Sequence, residues 1–495
     1  MRKRDTHVKP LVLRADRRLT VDHVVAVGNG RAVRVADESW ARVERAHSIL
    51  VASRDSGQVY GANTGVGANR GVPVEPQTGP SHALRLWRSH CAGVGPIESA
   101  HVVRAALTIR LNQILAGGSG VSVDFAKGLL RALEIGAVPV IHRLGSIGTG
   151  DLAQLAEVAL TLVGERPWAA GFLEPIAPAD TDALPFMSSS AFTIATAASA
   201  AARVTTLLGV AERVAAMTLL ALNGSPQAWE PAVHRARPHP EQAAIASRLY
   251  TLVTSPTQSA RVPSRIQDPY GLRAVPQVHA PALQNLSALR MAIDVEMNSA
   301  VENPFVDDLT VMHHGQFHLA TLANLLDHVR SSLVPVLTLS LSRLSMLTDP
   351  AMTGQRPFLA DDIGGSSGIM IAEYVAADAL ATARVLSQPV TGGSLSISLG
   401  REEHASFAVH GARQLSDMLE AAQTIVAVEA VAAVRALRLD PGRLRDEPVH
   451  ETYEALAAAL SDDIADRPLG ADIAAAVACL TPSAVTRPAF HQVVC

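Results

Sequence analysis

The strongest constraint on this chain is a set of runs with helical periodicity and apolar residues on nearly every face. The stretch SAFTIATAASAAARVTTLLGVAERVAAM, beginning at Ser190, is the clearest of them. Glu98 to Ala116, Val123 to Ile135, Asp151 to Val163, Ser190 to Leu222, Ala282 to Ala300, His318 to Leu347, Ile369 to Leu386 and Glu402 to Leu437 all repeat apolar residues at helical spacing. Four of the runs far exceed the average globular helix of about a dozen residues, so the chain is expected to form an elongated bundle with its middle helices buried all round. Composition agrees. Hydrophobic residues make up 48% of the chain and aromatics only 4%, which leaves a core of Ala, Leu and Val suited to close helix packing. Strand-like alternation is limited to Lys9 to Leu13 and Phe305 to Met312. The expected architecture is mainly α, one multi-lobed body over 1–495: an N-terminal lobe with active-site loops (1–190), a central long-helix bundle (191–440) and C-terminal helices (441–495).

Charge narrows the function classes. Lys+Arg number 42 against 46 Asp+Glu, a net charge of -4, and no basic block follows the short MRKR start, so no nucleic-acid partner is expected. Arg203, Glu212 and Arg213 interrupt the longest apolar run, which argues for a buried soluble helix and against a membrane span. Cys91, Cys479 and Cys495 show neither CxxC spacing nor a disulfide framework, and no signal-like apolar stretch follows the N-terminus. The expected compartment is the cytoplasm.

Several segments carry groups able to do chemistry. LGSIGTGDLAQLAE, from Leu144 to Glu157, is dense in glycine, and Thr149 and Asp151 both suit a helix N-cap, so a helix is expected to open here with its positive end facing the loop. VYGANTGVGANRG sets Tyr60 beside a second glycine-rich loop; the spacing of Gly65, Gly67 and Gly71, with Pro73 after it, is not a dinucleotide-binding fingerprint. Tyr60 reads either as a loop anchor or as a proton-transfer group, and the latter role as a base requires a lowered pKa. RIQDPYGLRAVPQVHAP places Gln267, Tyr270 and Arg273 on a proline-stiffened loop, where the arginine either grips a substrate carboxylate or ties down carbonyls of its own loop. MHHGQFHLA holds His313, His314 and His318 at a spacing that imitates a metal pair, but Gly315 intervenes, the HExxH glutamate is missing and a third ligand is not evident, so no metal is expected. GREEHAS puts Glu402 and Glu403 at an expected helix N-terminus, where carboxylates also sit for purely structural reasons.

Taken in order, these segments resemble the aromatic amino acid ammonia-lyases, the family of histidine, phenylalanine and tyrosine ammonia-lyases and related aminomutases. YGANTGVG looks like the family's YGxNTGFG, SHCAGVG like SHAAGxG, and QDPYGLR like QDPYSLR. ENPFV with HHGQFHLA resembles DNPL followed by GGNFHA, and SSGIMIAEYVAA resembles NSGFMIAQVTAA. The resemblance implies the histidine ammonia-lyase/fumarase-like fold with a central bundle of long helices, a homotetramer, and a small amino-acid-like substrate. It implies catalytic roles for Tyr60 and Tyr270. It places His90, Gln267, Arg273, Phe317 and Glu402 at the substrate, with His90 and Glu402 matching the histidine-type pocket.

Two departures fall at one place. The family loop GSVGASGDLAPLAH makes a methylidene-imidazolone from Ala-Ser-Gly, whereas GSIGTGDLAQLAE is one residue shorter and has no central serine. The family's LALLNGT is replaced by LPFMSSS, with Ser188 where an asparagine assists the prosthetic group. The expectation is therefore a lyase-type enzyme with no diffusible cofactor and no methylidene-imidazolone, in which amides of Gly148, Thr149 and Gly150 stabilise negative charge. Two alternatives stay open: genuine ammonia elimination through a methyl-substituted ring made from Gly148-Thr149-Gly150, and a non-catalytic binding homologue.

Overall fold

The computed structural model describes residues 9–14, 16–75, 79–255, 262–393 and 395–480. The MRKR start, Arg261 and Cys495 lie outside the described residues. The chain is mainly α-helical, and four helices are long: Ala191–Ala221, Val275–Met297, Ala320–Thr348 and Ala408–Leu439, of 31, 23, 29 and 32 residues. By length and composition alone, Asp180–Ala221 and Ala320–Thr348 would suffice to cross a membrane; 72% and 44% of their apolar windows are buried inside the protein. Contacts divide the chain into two compact units. The first comprises Met1–Ala202, Leu289–Leu326 and Pro389–Arg413; the second comprises Arg203–Ala288, Asp327–Gln388 and Gln414–Cys495.

The first unit surrounds helix Ala100–Leu115, from Val102 onward buried on nearly every face. Local signals fix its neighbours. Ser99 and Ser122 cap Ala100–Leu115 and Val123–Ile135 by accepting from Val102 and Phe125 amides, and Gly136 ends the second helix in the left-handed region (φ 72°). Trp87, Phe125 and Phe186 form an aromatic knot with centroids 4.8–6.0 Å apart, and the Trp87 indole N–H donates to the Ala183 carbonyl at 2.7 Å. The described strands are short pairs: Leu11–Leu13 lies parallel to Val33–Val35, and Val94–Ile97 with His142–Leu144, Val138–Pro139 with Trp168–Ala170, and Phe305–Val306 with Val311–Met312 are antiparallel. A fully buried ion pair, Arg110 to Glu302 at 2.6 Å, ties the ENPF segment down, while the same guanidinium donates to the Pro185 and Phe186 carbonyls.

The second unit has its own buried pair. Arg343 forks onto both oxygens of Glu429 at 2.6 and 2.9 Å, and that carboxylate also accepts the hydroxyls of Thr218 and Ser340. Neither pair is exposed at all, so each charge depends on its partner.

Three expectations about helix ends need correction. The last long helix begins at Ala408, not Glu402; Phe407, at φ 54°, breaks the helical path, and Glu402 instead bridges Ile397 after a short 3-10 turn. The QDPYGLR segment is not all loop, because Tyr270–Arg273 forms a helical turn. Helix Val275–Met297 starts before Pro281 and carries it inside.

Candidate active site

Tyr60 stands on the Val59–Gly71 loop of the first unit. Its phenol oxygen accepts the Gly67 N–H at 2.8 Å, and its own backbone N–H donates to His313 Nε2 at 3.3 Å. The His313 ring meets the Tyr60 ring edge-on. Gly67 is at φ +56°, and a Cβ there would lie 2.7 Å from Ser398 Oγ and 3.4 Å from Glu402 Oε1, so glycine lets the segment after Ile397 close over the tyrosine loop. Ser398 Oγ accepts the Ala68 N–H at 3.0 Å. Tyr60 and Glu402 are thus brought together. Burial raises the Tyr60 pKa above 10, the Gly67 hydrogen bond lowers it, and the Glu402 charge raises it further. The lowered pKa required of a resting base is not what the fold supplies. The phenol rests neutral, with a lone pair occupied by Gly67 and a proton to give.

The loop before Asp151 turns on Gly145, Gly148 and Gly150, all at positive φ. Ser406 Oγ donates to the Gly148 carbonyl at 2.6 Å, and the Phe407 N–H donates to Ile147 at 2.9 Å. Asp151 precedes helix Leu152–Leu162, but its side chain does not cap it. The carboxylate instead accepts Ser146 Oγ at 2.6 Å and both the backbone N–H and hydroxyl of Thr193 at 2.8 Å, pinning the loop to helix Ala191–Ala221. Complete burial raises the Asp151 pKa, while the Ser146 and Thr193 bonds and the Arg413 charge pull it back.

Ser188 is buried, and its hydroxyl accepts the Asn303 N–H at 3.0 Å. His90 closes helix His82–His90; Nδ1 donates to the Leu86 carbonyl at 2.9 Å, which makes Nε2 the acceptor of the neutral ring. Phe317 is half-buried. His318 Nε2 and His404 Nδ1 share a hydrogen bond of 2.9 Å. Among the described residues no group of three or more His, Cys, Asp or Glu is placed to hold a metal ion.

Gln267, Tyr270 and Arg273 belong to the second unit. Gln267 is exposed, and Tyr270 is 70% exposed. The Arg273 guanidinium stacks over the Tyr270 ring at 4.5 Å, and its Nε has no hydrogen-bond partner. The turn beneath them is fixed: Asp268 accepts Ser225 N–H at 2.6 Å and pairs with Arg265, Trp229 Nε1 donates to Leu272 O at 3.0 Å, and Arg343 Nη1 donates to Gly271 O at 3.1 Å. Arg343, Glu429 and Ser406 are supporting residues that motif reading passed over. Asp268 and Ser406 lay inside quoted motifs, QDPYGLR and GREEHAS, but nothing local reveals their partners.

A family model described as aromatic amino acid lyase matches residues 19–460. Histidine ammonia-lyase from Streptomyces coelicolor is 32% identical over 481 residues, covering 92% of this chain and 94% of its own. Tyrosine aminomutase from Streptomyces globisporus superposes with a TM-score of 0.88 at 26% identity, covering 95% of this chain and 97% of its own. Ergothionase from Treponema denticola, an ergothioneine-degrading enzyme, shares the fold at a TM-score of 0.87 and 23% identity, covering 95% and 98%.

Proposed function

The chain belongs to the aromatic amino acid lyase family, and from that premise we propose that it is an ammonia-lyase-type enzyme for a carboxylate-bearing, histidine-like amino acid, working through proton transfer by Tyr60 with its Gly148-Thr149-Gly150 loop uncyclised. The family builds a methylidene-imidazolone from its own chain and needs no diffusible cofactor. The single observation that carries the open-loop reading is the packing of Gly148. A Cβ there would stand 2.2 Å from Ser406 Oγ and 2.8 Å from the Ala408 nitrogen, so the first residue of an Ala-Ser-Gly tripeptide has no room. The Gly148 oxygen, which ring closure would expel as water, is held by Ser406 at 2.6 Å. The packing leaves no room for the family's alanine and supports the open-loop reading.

In this reading Arg273 holds the substrate carboxylate through its planar fork. The Tyr60 oxygen takes the proton from the carbon beside the ring, the C–H electrons become the new double bond, and the α-substituent departs with its bonding pair. The resting phenol is neutral, so its proton must first pass to solvent; a cationic substrate ammonium nearby lowers its pKa in the required direction. In the addition direction the same phenol is already charged with the proton to deliver. Glu402 and the acceptor nitrogen of His90 suit a ring N–H or an amine, and this favours an imidazole over a phenyl ring.

One observation favours the alternative of a methyl-substituted ring: a hydroxyl donating to the Gly148 carbonyl polarises the carbon that cyclisation would attack. Intact mass with peptide mapping separates the two. The unmodified sequence mass is expected; a deficit of two waters on Gly148, Thr149 and Gly150 would restore ring chemistry.

Family members are usually homotetramers, and we place this chain among them, in the cytoplasm. Helix Met370–Leu386 supports that assembly by leaving Ile371 and Tyr374 57% and 66% exposed. Sedimentation at low concentration should report a tetramer, and a stable monomer would refute it.

A further inference from the structure

A covalent ring fixes the direction of every group in a cyclised loop, whereas an open loop has to be aimed by its neighbours. Two carbonyls of this loop are pinned from one side: Phe407 N–H donates to Ile147 O, and Ser406 Oγ donates to Gly148 O. Ser406 is 3% exposed. The residue after it, Phe407, sits at φ 54° without being glycine, a conformation that persists only where surrounding contacts impose it. In a trans peptide the C=O and the following N–H point in opposite directions. Pinning Gly148 O toward Ser406 therefore turns the Thr149 N–H away from that segment. Ser146 adds a second restraint from within the loop, accepting the Gly148 N–H at 3.4 Å and donating to Asp151 at 2.6 Å.

Gly148 N–H and Asp151 N–H are thereby used, the latter donating to Ser189 O at 2.7 Å. The two amides between them are not. Among the described residues neither Thr149 N–H nor Gly150 N–H donates a hydrogen bond, although Gly150 is buried and Thr149 half-buried. Buried amides without partners are uncommon, and two in succession form a receptor for negative charge. We infer that Thr149 N–H and Gly150 N–H are a paired oxyanion receptor, and that Ser406 is the positioning residue that aims it. The inference rests on the open-loop reading and adds to it the two donors and their support. The ligand class is an oxyanion carried by the substrate, its carboxylate. Two neighbouring backbone donors with no partner of their own can both be given to the oxygens of one anion. The same segment reaches the proton-transfer group, since Ser398 Oγ accepts Ala68 N–H on the Tyr60 loop.

The test uses the full-length protein with trans-urocanate as the probe, an acrylate bearing an imidazole. Amide hydrogen exchange at residues 149 and 150 should slow by about tenfold on adding the probe to wild type, and hardly change in Ser406→Ala, in which the Gly148 carbonyl is released. Ser406→Cys retains a weak donor and should recover part of the protection. As a second readout, the Kd for trans-urocanate should rise about tenfold in Ser406→Ala and recover in part in Ser406→Cys, the change expected when a ground-state charge loses two aimed donors. Equal, probe-dependent protection in wild type and Ser406→Ala, or none in either, overturns the inference provided the mass is that of the unmodified sequence. A mass deficit of two waters at residues 148–150 overturns the open loop itself, a separate failure that removes the receptor with it.

Discussion

The two units hold their candidate residues by opposite means. In the first, Tyr60 and the Gly148 to Gly150 loop are held by single hydrogen bonds between side chains and backbone, from Gly67, Ser398, Ser406 and Ser146. In the second, the Tyr270–Arg273 turn is anchored by a fully buried ion pair, Arg343 with Glu429, whose guanidinium also grips Gly271 O. The difference matches the chemistry that the proposed function asks of each. A carboxylate grip needs one fixed cation, and a stiff turn carrying a long arginine provides it. A receptor made of backbone amides needs donors left free, and glycine-rich backbone held at a few points leaves them free.

The largest way to break this contrast is Arg343→Met. It strands the Glu429 carboxylate in a dry interior, and about 3–5 kcal/mol of stability should be lost in urea unfolding. Ser146→Ala, in the other unit, should cost about 1 kcal/mol. Similar losses for both would erase the distinction.

Next comes acid. His279, fully buried in the second unit beside Arg343 and Arg248, has its pKa pushed down from 6.5 to about 3 by burial first and those charges second. A depressed pKa means that its stability is complete above pH 6.5 and drains away as pH falls toward 3. About 3 kcal/mol should disappear between pH 6.5 and 4, and His279→Leu should remove that slope. In the first unit Glu296 has the opposite sign: burial raises its pKa from 4.5 to about 7. Its contribution is complete below pH 4.5 and fades as pH rises through 7, so Glu296→Gln should flatten the neutral side. Stability curves of the two variants that move in the same direction would contradict these assignments.

Activity separates the units more finely. Tyr60→Phe should retain ligand while turnover drops roughly 10²-fold, and Arg273→Lys should weaken carboxylate binding as well as slow turnover. If Tyr60→Phe turns over as fast as wild type, the tyrosine has no part in the proton step. The smallest effect belongs to Glu402→Gln. Its charge raises the Tyr60 pKa, so neutralising it should shift the limb of the pH–rate profile governed by Tyr60 to lower pH by a fraction of a unit. A shift toward higher pH would reverse the sign argued here.

How much of this was legible depended on how local the cause was. Helix Val123–Ile135 was readable to its ends because Ser122 and Gly136 mark them in sequence. The start of Ala408–Leu439 was not, since Glu402 and Glu403 imitate first-turn acids while the positive φ of Phe407 has no sequence signature. Asp151 looked like a cap, yet Thr193 and Ser146 claim its oxygens, and only folding brings Thr193 there. Motif order pointed to the family and to Tyr60, Arg273 and Glu402. The supports were hidden by separation: Ser406 lies 258 positions from the carbonyl it holds.

The contact between Gly148 and Ser406 also bears on history. With Gly148, the candidate for the tripeptide's first position, walled in by a hydroxyl and two backbone nitrogens, the loop does not regain Ala-Ser-Gly one substitution at a time. Serine at position 149 alone leaves no alanine before it, and alanine at 148 alone collides with Ser406. Return would demand alanine at 148 and serine at 149 together with the retreat of the 406–408 segment. On the open-loop reading proposed above, variation among descendants of this chain should spare Gly148, whose surroundings Ser406 and the Ala408 nitrogen already fill.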